Sequence, residues 1–166
     1  MSLKLLLVRS IYWLKGLVEN PMKLFKELGV GNNDIILEIG CAIGYHTFPL
    51  ANIVTSGQVY AVDIWEEGLT YMIGKIRETQ NIEIIYCSAE AVELPPSSLD
   101  KIICFNTLHE VPNFKYAIEQ WMKFLKKGGT FYYRDPIIPP QEILDVAQGK
   151  LQKEGTIKNV HIFIRK

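Results

Sequence analysis

The stretch Ile35-Ile36-Leu37-Glu38-Ile39-Gly40-Cys41-Ala42-Ile43-Gly44-Tyr45-His46-Thr47-Phe48-Pro49-Leu50 decides the fold, because it runs a buried strand into a glycine-bearing loop and then a helix. The apolar run Ile35 to Leu37 suits a central parallel strand covered on both faces. Glu38 stands at its carboxyl end, where open α/β sheets place their ligands. Gly40 and Gly44 permit a tight turn and a close approach to a ligand, since a residue without Cβ reaches positive φ at little cost. The helix that follows aims its free amides at the same crevice.

Outward from this junction, apolar strands at 35–39, 58–62, 82–86, 101–105, 129–134 and 158–164 alternate with helical segments at 44–54, 66–78, 113–126 and 140–153. The alternation predicts an α/β fold with a doubly wound, mostly parallel sheet covered by helices on both faces. Residues 2–19 read as one more helix with a broad apolar stripe, and Asn20-Pro21 starts a short one reaching Leu28, with proline well placed in a first turn. Pro49 belongs in the first turn or two of its helix, because an interior proline costs about 3 kcal/mol. Lys126-Lys127-Gly128-Gly129 reads as a helix end, with cations at the negative pole and glycine for a left-handed cap. After Pro140 there is room for one helix and one clear strand, Lys158 to Arg165, so the C-terminal strand region is expected to be shortened. The whole of 1–166 is expected to be one domain, with residues 1–30 as an N-terminal helical cap.

Composition narrows the function. Eighteen basic and eighteen acidic residues cancel, and no more than two Lys or Arg are adjacent, so nothing is built to grip a phosphate backbone and nucleic acid is not expected as a partner. Cys41, Cys87 and Cys104 are widely spaced beside apolar runs, as reduced thiols are, and imply neither disulfides nor a metal site. Leu3 to Val18 is apolar, but Lys4, Arg9 and Lys15 interrupt it. It is too short and too charged to span a membrane. No small-residue cleavage site follows it, and a cytoplasmic location is expected.

The chemistry starts with spacing. Glu38, Gly40, Ala42 and Gly44 fit [D/E]-x-G-x-G-x-G, with alanine in the middle glycine slot, whereas the rival G-x-G-x-x-G would put Tyr45 where a bare Cα is needed. If Ala42 adopted positive φ it would cost about 1–2 kcal/mol, so negative φ is expected. Asp63 follows the second strand, 23 residues after Gly40, which is the distance at which an acid reaches a ribose. The alternative for Asp63 is a cap on the following helix.

Four motifs in order resemble those of class I S-adenosylmethionine (SAM) methyltransferases, in the methyltransferase-11/UbiE-like group. The first is Glu38 to Gly44 and the second Asp63-Ile64. Cys87-Ser88-Ala89-Glu90 falls where many members read G-D-A-[E/D]. Phe105-Asn106-Thr107-Leu108-His109-Glu110-Val111-Pro112 resembles the segment bordering the cofactor and the substrate cavity. Leu125 to Gly129 also matches the family's entry to strand five. The resemblance covers about residues 33–136, the SAM-binding core.

The resemblance implies a Rossmann-like fold and SAM as cofactor, with S-adenosylhomocysteine (SAH) as product. The cofactor would be held by Glu38, Gly40, Cys41, Ala42, Gly44, Tyr45 and His46, by Asp63 on the ribose and Ile64 on the adenine, and by Ser88, Ala89, Glu90 and Asn106. Ser88 replaces an aspartate and gives up its charge assistance. The implied reaction is methyl transfer to a small-molecule acceptor. Because the methyl is activated in the cofactor, no dedicated catalytic residue is required. His109 is the candidate, as a His-Glu pair with Glu110 or as a ring pinning its own loop. Tyr12, Trp13 and Leu17 face the substrate if residues 2–28 form the lid. A second copy of the chain in a homo-oligomer is the other way to cover the site. Two alternatives remain open: a SAM-binding regulatory or scaffold protein without transferase activity, and an NAD(P)-dependent oxidoreductase. Arg134-Asp135 reads as an adjacent ion pair or a substrate contact, and His161 as structural.

Overall fold

The structure, a computed structural model, describes residues 2–76 and 81–166. In chain order its elements are α1 (Leu3–Val18), α2 (Pro21–Glu27), β1 (Ile35–Ile39), α3 (Thr47–Ile53), β2 (Gln58–Asp63), α4 (Glu66–Ile73) and β3 (Ile82–Tyr86). They continue with β4 (Leu99–Phe105), α5 (Phe114–Phe124), β5 (Leu125–Arg134), α6 (Pro140–Ala147), β6 (Leu151–Ile157) and β7 (Val160–Arg165). The strands form one sheet in the order β3-β2-β1-β4-β5-β7-β6. Pairing is parallel from β3 to β5 and antiparallel where β7 meets β5 and β6. The strand order reverses between β1 and β4, and a crevice opens at their carboxyl ends.

Side-chain alternation along the central strands builds both layers. Leu37 and Ile39 pack with Ile102, Cys104, Phe131 and Tyr133 beneath α5 and α6. Ile36 packs with Val59, Ile103 and Phe105 beneath α2 and α3. Glu38 shares the side of Ile36, so its carboxylate goes under α3. Trp121 is fully buried, as its helical stripe predicts, and its indole Nε1 donates to the Ala89 carbonyl at 2.9 Å.

Several boundaries differ from the sequence reading. α3 begins at Thr47 instead of residue 44 because Gly44 sits at φ 85°, outside the helical region. Pro49 is then its third residue, where the missing amide costs nothing. α4 stops at Ile73 before Gly74; positions 77–78 of the expected helix lie outside the described residues. α5 ends at Phe124, and Leu125 is already extended and paired with Leu99. Lys126 and Lys127 therefore cap no helix. Lys126 Nζ instead binds Asp100 Oδ1 at 2.7 Å, while Gly128 (φ 75°) turns within an irregular part of β5.

The main correction is at the C-terminus, where the strand region is not shortened. α6 ends at Ala147, and Gln148 and Gly149 take left-handed φ of 47° and 80°. β6 follows, then Lys158 and Asn159, at φ 47° and 64°, turn the chain into β7, which inserts between β5 and β6. A two-residue turn with both φ positive matches the twist of a hairpin. β6 reads L-Q-K-E-G-T-I with only Leu151 buried, so as an exposed edge strand it has no hydrophobic alternation to announce it.

Candidate functional site

Two strand-to-loop junctions meet at the crevice. At the first, Gly40 lies at φ 79°, and any Cβ there would collide with the Thr107 side chain from the second junction. The amides of Gly40 and Cys41 both donate to the Val62 carbonyl, at 2.9 and 3.1 Å, fastening the loop to the end of β2. Ala42 lies at φ 49°, contrary to the expected negative value. Its amide donates to Asp63 Oδ2 at 2.8 Å, which offsets part of the left-handed cost. Asn106, at the end of β4, is a second non-glycine residue at positive φ, 54°. Backbone held in such regions persists only where its surroundings enforce it.

Asp63 joins both sides of the first junction. Oδ2 takes the Ala42 amide, and Oδ1 accepts from the Trp65 amide at 2.9 Å, just ahead of α4. An ionised carboxylate offers about four acceptor sites, so two remain for a ligand. Ile64, beside it, is 65% exposed. Glu38 is buried, and Thr47 Oγ1 donates to its Oε2 at 2.6 Å. Burial pushes the Glu38 carboxyl up to about 7, with the Asp63 charge adding and the Thr47 hydrogen bond opposing.

α1 lies over the crevice. The Tyr12 ring stacks on Tyr45, centroids 4.8 Å apart, and its phenol is pushed up to about 12 by burial, then by the charges of Glu38 and Asp63. Tyr12 thus faces inward, whereas Trp13 and Leu17, which the sequence reading grouped with it, are 67% and 69% exposed. An open cavity of about 520 Å³ lies between α1 and α4, against Ile43, Tyr45 and Tyr71, with Trp13 on its rim. Tyr12 lines the cavity on the side of the crevice.

A charged cluster fastens the end of α1. The Glu19 carboxylate receives both terminal nitrogens of Arg134, each at 3.2 Å, and the guanidinium lies 4.7 Å from the Phe105 ring centroid. Arg134 therefore pairs with Glu19 and not with adjacent Asp135, correcting the ion pair expected from sequence. His46 is buried among Phe25, Tyr45 and Phe105, with Nε2 3.8 Å from Glu19, too long for a hydrogen bond. Burial pushes His46 down to about 4, so it is neutral at pH 7. The Glu19 carboxyl is held down to about 2 against burial, and with no hydrogen bond from His46 the groups that hold it are Arg134, then Lys15. With His46 neutral, the attracting charge at pH 7 is chiefly that of Arg134.

At the second junction His109 Nδ1 lies 2.9 Å from Asp135 Oδ2, and the Asp135 side chain is fully buried. Asp135 also accepts the amides of His109, Ile137 and Ile138. Burial would raise its carboxyl, but His109 and these amides hold it below the usual range. Glu110, the partner the sequence suggested, is 77% exposed and 4.0 Å from His109 Nε2. The pair is His-Asp, formed across 26 residues of chain. Its one local signal was the acid following Arg134 at the carboxyl end of a strand. Glu90 accepts the Asn113 amide at the start of α5, at 3.2 Å. Ser88 and Ala89 stand half-buried at the carboxyl end of β3.

The methyltransferase-domain family matches residues 31–161 of this chain. The chain belongs to that family of class I SAM-dependent methyltransferases. A demethylmenaquinone methyltransferase of Staphylococcus aureus is 27% identical over 110 residues, covering 64% of this chain and 45% of that protein. The chain spans less than half the length of the curated relatives it matches. Among solved structures, a SAM-dependent methyltransferase from Aquifex aeolicus superposes with a TM-score of 0.72 at 22% identity, over 87% of this chain and 89% of that one. The [4+2]-cyclase SpnF superposes at 0.67 with 14% identity, over 81% of this chain and 57% of that one. These two likenesses concern the fold alone.

The methyltransferase crevice fits the cofactor its family uses. Asp63 retains acceptor sites at the end of β2 beyond the amides of Ala42 and Trp65, and an exposed isoleucine stands beside it.

Proposed function

We infer that the chain transfers a methyl group from SAM to a small-molecule acceptor and releases SAH. The observation that carries the reading is the seating of Thr107 against Gly40, which puts the His109-Asp135 loop beside the glycine loop under one roof. SAM supplies a methyl group already activated on a sulfonium. The loop from Gly40 to Gly44 and the side chains of Glu38 and Asp63 are assigned to hold it, with Tyr45 and His46 at the start of α3, Ile64 against the adenine, and Ser88, Ala89, Glu90 and Asn106 along the rim.

His109 is assigned the proton. With Nδ1-H donated to Asp135, the Nε2 lone pair remains available to an acceptor hydroxyl or amine. Asp135 is the positioning residue that selects this tautomer. Tyr12 above the crevice restricts water at the reacting atoms. A neutral charge balance favours a small acceptor over a nucleic acid, and demethylmenaquinone, the acceptor of the Staphylococcus relative, opens the acceptor screen.

Thermal unfolding with saturating SAH, against NADH and buffer, tests the cofactor assignment. Ligand near 100 times its Kd adds about 2.7 kcal/mol, a rise of roughly 5–10 °C for this size. A shift with SAH alone supports the reading. A shift with NADH alone would overturn it in favour of an oxidoreductase.

A further inference from the structure

α1 carries apolar residues on both sides, and only one side is covered. Leu5 is buried and Tyr12 faces the crevice, whereas Leu3, Leu7, Ile11, Leu14 and Val18 follow one another at helical spacing along the opposite side. Leu6 and Trp13, which also line the cavity against α4, and Leu17 widen that stripe along one edge. Exposure along it runs from 43% at Leu6 to 90% at Val18. At about 100 Å² each, these eight side chains exceed the roughly 300–600 Å² of the largest apolar patch on an ordinary soluble monomer. The polar residue within the stripe, Ser10, turns its hydroxyl back onto the Leu6 carbonyl at 3.0 Å.

Charge decides what covers the stripe. Residues 2–18 contain Lys4, Arg9 and Lys15 and no acid. By helical position these cations border the stripe on its two sides, and each leans on an aromatic ring of the body. Lys4 lies 4.6 Å from the Trp65 ring, Arg9 5.2 Å from Tyr71, and Lys15 5.4 Å from Tyr45. Glu19, the first acid in the chain, is held by Arg134. Two copies meeting stripe to stripe would bring the six cations of their helices together, with Glu67, which Ser2 binds, at the N-terminal end of each helix. An apolar stripe bordered by cations, with a tryptophan on its edge, instead matches a helix lying in the plane of an anionic lipid surface.

We propose that the outward face of α1 docks the protein on the surface of an anionic bilayer, peripherally and without a membrane-spanning segment. No helix among the described residues is long and apolar enough to cross a membrane. The inward face of the helix keeps its contacts to Tyr45 and Arg134 through Tyr12 and Glu19, so docking leaves the roof of the crevice in place.

The test is sedimentation of the full chain with vesicles of phosphatidylcholine and phosphatidylglycerol, and with vesicles of phosphatidylcholine alone. The wild type is expected to sediment at least tenfold more tightly with the anionic vesicles, and less as salt rises. A Leu7→Ser, Ile11→Ser, Leu14→Ser triple variant, altered only on the outward face, is expected to lose at least tenfold of that binding with an unchanged unfolding temperature. Wild-type protein that stays in the supernatant would overturn the proposal, as would binding that the triple variant retains. A dimer that the triple variant dissolves, without vesicle binding by either protein, would overturn it in favour of a second copy.

Discussion

Replacing Glu38 by glutamine should stabilise the free protein at neutral pH and reveal a pH dependence that the wild type conceals. The carboxyl is raised from 4.5 to about 7 by burial. The folded state therefore holds a proton that the unfolded chain has released. This contribution is fully present below pH 4.5 and lost as pH rises to about 7, a change of about 3 kcal/mol at 1.36 kcal/mol per pH unit. His46 has the opposite slope. Its imidazole falls from 6.5 to about 4 through burial, so its contribution is present above pH 6.5 and lost as pH drops through about 4. Between pH 4.5 and 6.5 the two slopes nearly cancel in the wild type. Glu38→Gln keeps an acceptor for Thr47 Oγ1 and removes the falling slope. The variant should gain about 2 kcal/mol between pH 4.5 and 6.5 and exceed the wild type by up to about 3 kcal/mol at pH 8, roughly 6–12 °C in unfolding temperature. Urea unfolding followed by tryptophan fluorescence across pH 4.5–8 reads both quantities. Parallel profiles for the two proteins would refute the assignment of a raised carboxyl at Glu38. Weaker SAH binding by the more stable variant would show the exchange of stability for function common at such sites.

Three other outcomes follow from the same geometry. His109→Gln should lower methyl transfer at least 100-fold with SAH affinity unchanged, and Asp135→Asn should move the pH profile of turnover; transfer that survives both substitutions would remove the pair from the reaction. Ala42→Gly relieves left-handed strain at the cost of chain entropy, so it should change stability by about +1 kcal/mol or less in the favourable direction; a clear loss in a denaturant titration would contradict the strain. Glu19→Gln should cost about 2 kcal/mol at pH 7, because Glu19, depressed from 4.5 to about 2, contributes stability above pH 4.5 that is lost as pH falls through about 2; equal unfolding curves at pH 7 and pH 2.5 for wild type and variant would refute it.

What the sequence disclosed follows from which features are local. Ile35 to Gly44 is readable because a buried strand is continuously apolar and a tight turn demands glycine, and the same holds for the strands ending at Asp63 and Phe105. Ala42 misled because its left-handed φ is imposed by neighbours: Asp63 takes its amide and Gly40 seats against Thr107. The His109-Asp135 and Glu19-Arg134 pairs join residues 26 and 115 positions apart, and spacing cannot show such contacts. β6 escaped notice because an edge strand needs few apolar residues, although the left-handed pair Lys158-Asn159 marked its end. The broad stripe of α1 was visible, but which side faces outward depends on what Tyr12 and Leu5 cover.

The central claim is that the crevice between Glu38 and Asp63 holds SAM, and calorimetric titration of SAH into the wild type and Asp63→Asn tests it most directly. Loss of charge-assisted hydrogen bonds worth about 1.5–3 kcal/mol predicts one-to-one binding by the wild type and about 10- to 100-fold weaker binding by the variant. Equal affinity in both proteins, or no heat with either, would contradict it.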